Sequence, residues 1–530
     1  SNTYSGGTLV NGGTLIGDTS SIRGNLTNNA TVIYSQATDA TNTSLITGTG
    51  ALVKQGAGIL TLSNNANSMD SLTVSTGTVL LRSTNSINSI NVAGGAVLGY
   101  GGAINTPMGS ATITLQDGAA FGQSASMGST TNDRTILNNL VLAGNVRFGA
   151  IAGSSFGSYF GGNMDLAGGT RTITFSNSTY VGGVISNGTG LVLDSGGSTS
   201  RSFSLTNGVA TYSGPTTVNG GVLEFLGTGA ISSSSALNLA AATTNATLSI
   251  SGISGTGVSL GSVAGSANSS ITLGAKNLSV GGDGTSTTYA GSISGTGGSL
   301  TKSGAGTLTL NGTNSYTGGT IVSDGKLAGT TASLQGGITN NANVEFSQAG
   351  AGTYSGAMTG TGSLTKSGAG NVTLSGANSY SGGTTVSAGT LSGSTTSLQG
   401  AIANNANVEF SQTNAGTYSG AMSGSGSLTK SGAGNVTLSG ANSYSGGTVV
   451  SAGTLTGDTT SLQGAISNGA TVAFNQTTDG TYAGTLSGAG ALTKAGSGNL
   501  TLSGNNSGYS GAVTVGGGKV SVNANSALGT

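Results

Sequence analysis

The stretch Leu300–Val322, LTKSGAGTLTLNGTNSYTGGTIV, returns nearly unchanged at 364–386 and 428–450, and in more altered form at 492–514. Its lysines, Lys302, Lys366, Lys430 and Lys494, follow one another at a constant spacing of 64. A period that regular marks a stacked repeat, in which each unit buries its apolar face only against its neighbours. The unit also stands near the start of the chain: Tyr4 precedes Lys54 by the same interval that separates Tyr316, Tyr380 and Tyr444 from Lys366, Lys430 and Lys494. Tyr34 likewise precedes Lys54 by the interval at which Phe346, Phe410 and Phe474 precede Lys366, Lys430 and Lys494. The chain therefore divides into a repeat unit over 1–66, a divergent segment over 67–285 with room for loop excursions, and repeat units over 286–530.

Within a unit, apolar and polar residues alternate. Val372 and Leu374 flank Thr373, Val408 and Phe410 flank Glu409, and glycine-containing turns close each run. Such runs predict short strands with one buried face. Strands this short need cover from an equivalent strand in the next coil, so the expected fold is all-β, a parallel β-helix or β-solenoid. Coils of about 21 residues place three coils in each repeat and about 25 in the chain. Leu364, Val386, Val408 and Leu428, spaced by 22, 22 and 20, offer one core ladder. Matching lysines would then lie three coils, ~14 Å, apart. Ser110–Leu115, Thr172–Phe175 and Ala246–Ile250 keep the alternation, so the divergent segment is expected to coil as well. The pairs Asn28-Asn29, Asn340-Asn341 and Asn404-Asn405 read as ladders of turns. Gly318-Gly319 and Gly382-Gly383 read as turns needing positive φ, and Tyr380 and Tyr444 as half-buried caps over those corners.

Composition closes off several classes. Glycine is 101 of 530 residues with only Pro107 and Pro215, which excludes collagen and polyproline structure. Basic and acidic residues number 14 each and are scattered singly, so no patch exists to release counterions from nucleic acid. No apolar run is long enough for a membrane span within this segment. Cysteine is absent, so disulfides and thiolate metal sites are not available. Ser1–Gly7 enters in the middle of a repeat unit, which reads as a portion of a longer precursor.

The phrase Leu364–Leu391, LTKSGAGNVTLSGANSYSGGTTVSAGTL, resembles the passenger-associated transport repeat of bacterial autotransporters, and Tyr212–Leu223 is a degenerate echo of it. The resemblance implies a right-handed β-helical passenger, exported across the outer membrane to the cell surface. It also implies a C-terminal outer-membrane barrel in the same precursor. Coils that form outside one after another would oppose backsliding, which gives the repeats a part in export.

Enzyme chemistry finds little support. Asp194-Ser195-Gly196-Gly197 and Gly153-Ser154-Ser155-Phe156-Gly157 imitate serine-hydrolase motifs, yet the chain has no histidine to act as base. Asp133-Arg134 and Asp283 are isolated where a glycosidase or calcium site needs clustered carboxylates. Asp18, Asp324 and Asp458 read as solvated turns. No catalytic residue, metal ligand or cofactor is expected. The aromatic cluster Phe148, Phe156, Tyr159 and Phe160, joined by Arg147, stands out in a chain with 5% aromatics. It reads either as core filling where the helix widens or as a platform for sugar or protein. The expected function is a non-enzymatic adhesin or self-associating rod, whose partners would be its own copies or a protein or glycan on a host or neighbouring cell. The alternatives are a stalk and secretion module for an activity elsewhere in the precursor, and an extracellular fibre or matrix subunit.

Overall fold

A computed structural model describes residues 2–101, 107–124, 135–149, 157–241 and 244–522. These residues contain no helix, only short strands joined by turns. They form two compact units, Ser1–Asp283 with Ala290–Gly295, and Gly284–Tyr289 with Thr296–Thr530. Both are parallel β-solenoids, holding about 25 turns between them. The alternation explains the fold locally. In Ser363–Lys366 the inward side chains are Leu364 and Lys366, both buried, while Ser363 and Thr365 face outward.

In the second unit, successive coils run from Leu364 to Thr384, from Thr384 to Ile402 and from Ile402 to Met422, each pair in register. Three coils from Leu364 thus end at Met422, short of Leu428, the repeat equivalent of Leu364. The stretch between Met422 and Leu428 carries the chain onto the next side of the coil. The expected three coils per repeat are thus three and a third. Ser299–Lys302, Ser363–Lys366, Ser427–Lys430 and Ala491–Ala495 accordingly fall in four different parallel ladders. The expected ladder is corrected with them: Val386 pairs with Lys366, and Val408 pairs with Leu428 on another sheet. Stacking partners are nonetheless constant. Phe346, Phe410 and Phe474 stand in register with Lys366, Lys430 and Lys494.

The short coils have a physical cause. One side of the coil is crossed by a single asparagine instead of a strand. The Met358 N–H donates to Asn378 Oδ1 at 2.8 Å, and Asn378 Nδ2 donates to the Ser397 carbonyl at 2.7 Å. Asn442 repeats the arrangement with Met422 and Ser461. A side-chain amide thus does the hydrogen bonding of a ladder rung.

The first unit has coils of more variable length. Its eight-stranded ladder runs Thr135–Ile136, Ser158–Phe160, Thr179–Val181, Ser202–Leu205, Gly221–Gly227, Ala246–Ile253, Ser269–Thr272 and Ser292–Ser294. Coils lengthen here, as the register of Phe121 with Phe148 and of Phe148 with Phe175 shows. The wider interior is filled by rings, with Phe160 reaching Phe148 at 4.8 Å and Phe121 at 5.5 Å between centroids.

Candidate interaction surface

Most of the repeated polar residues are structural. Lys54, Lys302, Lys366, Lys430 and Lys494 are all buried. Their ammonium groups donate to turn carbonyls: Lys302 Nζ to Ser303 and Gly304, both at 2.6 Å, and Lys494 Nζ to Ala495 at 2.6 Å, Gly496 at 2.9 Å and Gly517 at 3.1 Å. Lys366 and Lys430 reach Gly368 and Gly432, and the turns of the following coil at Ala388 and Ala452. Burial lowers the pKa of Lys54, Lys366 and Lys430. Each ammonium ties the glycine-rich turn after its strand to the turn of the next coil, meeting carbonyls that would otherwise be unpaired.

The asparagine pairs use hydrogen bonding. Asn340 and Asn404 turn inward and donate to the carbonyls of Ser363 and Ser427, one coil on. Of each glycine pair only the second has positive φ, +83° at Gly319 and +79° at Gly383. Gly382 is required for space, since a Cβ there would lie 2.5 Å from the Gly362 backbone. The corner tyrosines are fully buried, which corrects their expected half-burial. The hydroxyls of Tyr316, Tyr380 and Tyr444 each share a hydrogen bond of 2.7 Å with the threonine four residues on, and burial raises their pKa.

The motif-like serine and carboxylates behave similarly. Ser195 is buried and its hydroxyl donates to the Ser198 carbonyl, while Asp194 accepts from the Gly196 N–H at 2.8 Å. Asp18 and Asp458 occupy equivalent corners, where each accepts backbone N–H groups two and three positions on. At Asp18 the hydroxyls of Ser21 and Ser20 hold the carboxyl pKa at about 2. Ser154, Ser155, Asp133 and Arg134 lie outside the described residues.

The aromatic cluster splits. Phe148 and Phe160 alternate inward on their strands and are 1% exposed, so they are core and not surface, a correction to their place in the interaction surface. Phe156 lies outside the described residues. Arg147 is exposed, but on a different sheet from Tyr159. Tyr159 faces outward between buried Ser158 and Phe160. Its register partner on the next coil is Tyr180, also outward, and the two rings stack at 4.2 Å with an interplanar angle of 5°. Tyr180 was not singled out from the sequence. The available signal was a second tyrosine in mid-strand, one coil further along the chain.

This pair is unusual for the chain. Of 14 tyrosines, only Tyr4, Tyr159 and Tyr180 reach the surface, and no phenylalanine among the described residues does. Beside the rings runs a groove of about 270 Å³, lined by Thr135, Tyr159, Phe160, Gly161, Tyr180, Gly182, Thr206 and Asn207. The neighbouring corners carry Leu137, Val184 and Val209, which are 69%, 36% and 44% exposed. Away from the first and last strands, the other strongly exposed large apolar residues described are Ile321 and Val449, which share one repeat position and fall on different sheets.

The described residues are parallel β-solenoids, with a 64-residue unit recurring from about residue 300 onward. The passenger-associated-transport-repeat family matches at residues 1–16, 52–81, 202–225, 300–328, 364–392, 428–456 and 492–522. A 183-residue match, covering 29% of this chain, is 46% identical to Adhesin BmaC autotransporter of Brucella suis biovar 1 (strain 1330). This chain spans only 5% of that relative's length. No solved structure matches the chain. These matches support an autotransporter passenger built on passenger-associated-transport repeats, with a secreted, cell-surface location.

Proposed function

We propose that the chain is a non-enzymatic adhesive portion of its autotransporter, in which the uniform repeats supply a stiff scaffold and the divergent segment supplies recognition. The observation that carries this is the gathering of outward rings and aliphatic corners at Tyr159, Tyr180, Leu137, Val184 and Val209. The repeats offer nothing equivalent: their outward positions are mostly threonine, serine and glycine, rotated from sheet to sheet by the extra third of a coil. The relative carries the name adhesin, which agrees with this reading. The test compares cells displaying the chain with cells displaying a Tyr159→Ser, Tyr180→Ser variant, scored for attachment at equal surface display. Attachment should fall in the variant. Undiminished attachment would place recognition elsewhere and favour the stalk reading.

A further inference from the structure

We propose that the groove beside Tyr180 binds a neutral sugar ring of a glycan. This deepens the adhesive reading and rests on it. Tyr180 is the last ring of its row: the next residue in register is Ser204, whose short side chain leaves the ring's far side without an aromatic neighbour. The groove continues there along Gly182 to Thr206 and Asn207. Its lining contains no charged residue, and the carboxylate one coil beyond Ser204, Glu224, which accepts from the Ser204 hydroxyl at 2.9 Å, disfavours anions, so a phosphate or a sialic acid gains no ion pair there. The ring and Gly182 provide an apolar wall and floor, and the threonines and Asn207 provide hydroxyl and amide groups. That combination suits a pyranose, with an apolar C–H face and a rim of hydroxyls. At about 270 Å³ the space suits one ring better than an extended ligand.

Gly182 supplies a second, independent argument. Most glycines at these corners are demanded by the fold, as at Gly183 and Gly162, where a Cβ would lie 2.1 Å from a backbone oxygen. At Gly182 φ is not positive, and the nearest atoms to a Cβ are Thr206 Oγ1 at 3.5 Å and Gly161 Cα at 3.7 Å, ordinary contacts. The fold does not need a glycine there. What the glycine provides is the open floor.

The experiment is saturation-transfer NMR on the full chain with the methyl glycosides of glucose, galactose and N-acetylglucosamine, and of sialic acid as the charged comparison. Transfer is expected to the C–H face of at least one neutral pyranose and not to sialic acid. Gly182→Val fills the floor without touching the rings, and Tyr180→Ser removes the wall. Each should weaken binding about tenfold or more, the scale of one lost ring contact, with the melting temperature of Gly182→Val unchanged. No transfer to any neutral sugar, transfer unaffected by both substitutions, or preferred binding of an apolar peptide at the same residues would overturn the proposal. If cells displaying the chain still attach while no sugar contacts the groove, the groove proposal falls and the adhesive reading stands. If they fail to attach while Tyr180-dependent sugar contact persists, the reverse holds.

Discussion

Asn442 stands where a rung of the ladder has no strand, and its side chain bonds to the coils both above and below. The Met422 N–H donates to its Oδ1 at 2.8 Å, and its Nδ2 donates to the Ser461 carbonyl at 2.7 Å. The residue is 7% exposed, so neither backbone group has water to replace it. Asn442→Ala removes two neutral hydrogen bonds and leaves a buried N–H and a buried C=O unpaired, a loss of about 2–6 kcal/mol at about 1–3 kcal/mol per orphaned group. Asn475→Ala, at an exposed strand end, is the control and should cost under about 0.5 kcal/mol. Coupling in a stacked repeat runs mainly between neighbours, so the damage should be local. Hydrogen exchange should accelerate by about 30-fold or more at Met422 and at Ser443, the latter donating to the Met422 carbonyl at 2.8 Å. Protection around Met358 and Asn378 should hold. Equal effects of the two substitutions, or exchange raised uniformly along the chain, would refute the reasoning.

Three further outcomes follow from the same geometry. Lys430→Met keeps most of the apolar stem but leaves turn carbonyls at Gly432 and Ala452 without their donor, and should lower stability by about 1–3 kcal/mol in urea titration. Gly382→Ala drives a Cβ against the Gly362 backbone at 2.5 Å and should destabilise strongly, whereas Gly182→Ala meets nothing nearer than 3.5 Å and should leave the melting temperature unchanged. Burial raises the pKa of the core tyrosines, Tyr34 to about 12. The unfolded chain ionises near about 10, so this stability is complete below about pH 10 and is lost as pH rises through the folded values. Tyrosinate absorbance should therefore rise mainly in the transition that abolishes the β-sheet circular dichroism signal; a large rise with the signal intact would contradict it.

Much of the fold is legible in the sequence because period and alternation report stacking and burial directly. Val372, Leu374, Val408 and Phe410 are inward as their alternation requires. The phasing is not legible, because alternation counts strands and a side crossed by Asn378 or Asn442 contains none. The depth of Tyr380 also escaped, although the threonine that satisfies its hydroxyl stands four residues on, as it does after Tyr316 and Tyr444. Local density drew attention to Phe148, Phe160 and Tyr159 together, but strand alternation sends the phenylalanines inward and leaves only the tyrosine outside. Tyr180 escaped notice because its partner is one coil away, and coil length in the divergent segment varies too much to be counted from the residues.

The repeat's advance of three and a third coils turns equivalent repeat positions onto different sheets, which is what the proposed division between scaffold repeats and a recognising divergent segment requires. The chain has no cysteine, so spin labels can be placed in pairs by single substitutions. Thr365 and Ser423 lie on one ladder, three coils apart through Thr385 and Ala403. Thr365 and Thr429 are repeat equivalents on different ladders. Dipolar EPR should find the 365/423 pair close, with backbones about 14 Å apart, and the 365/429 pair clearly farther. The opposite order, with 365/429 at the three-coil distance, would contradict the account.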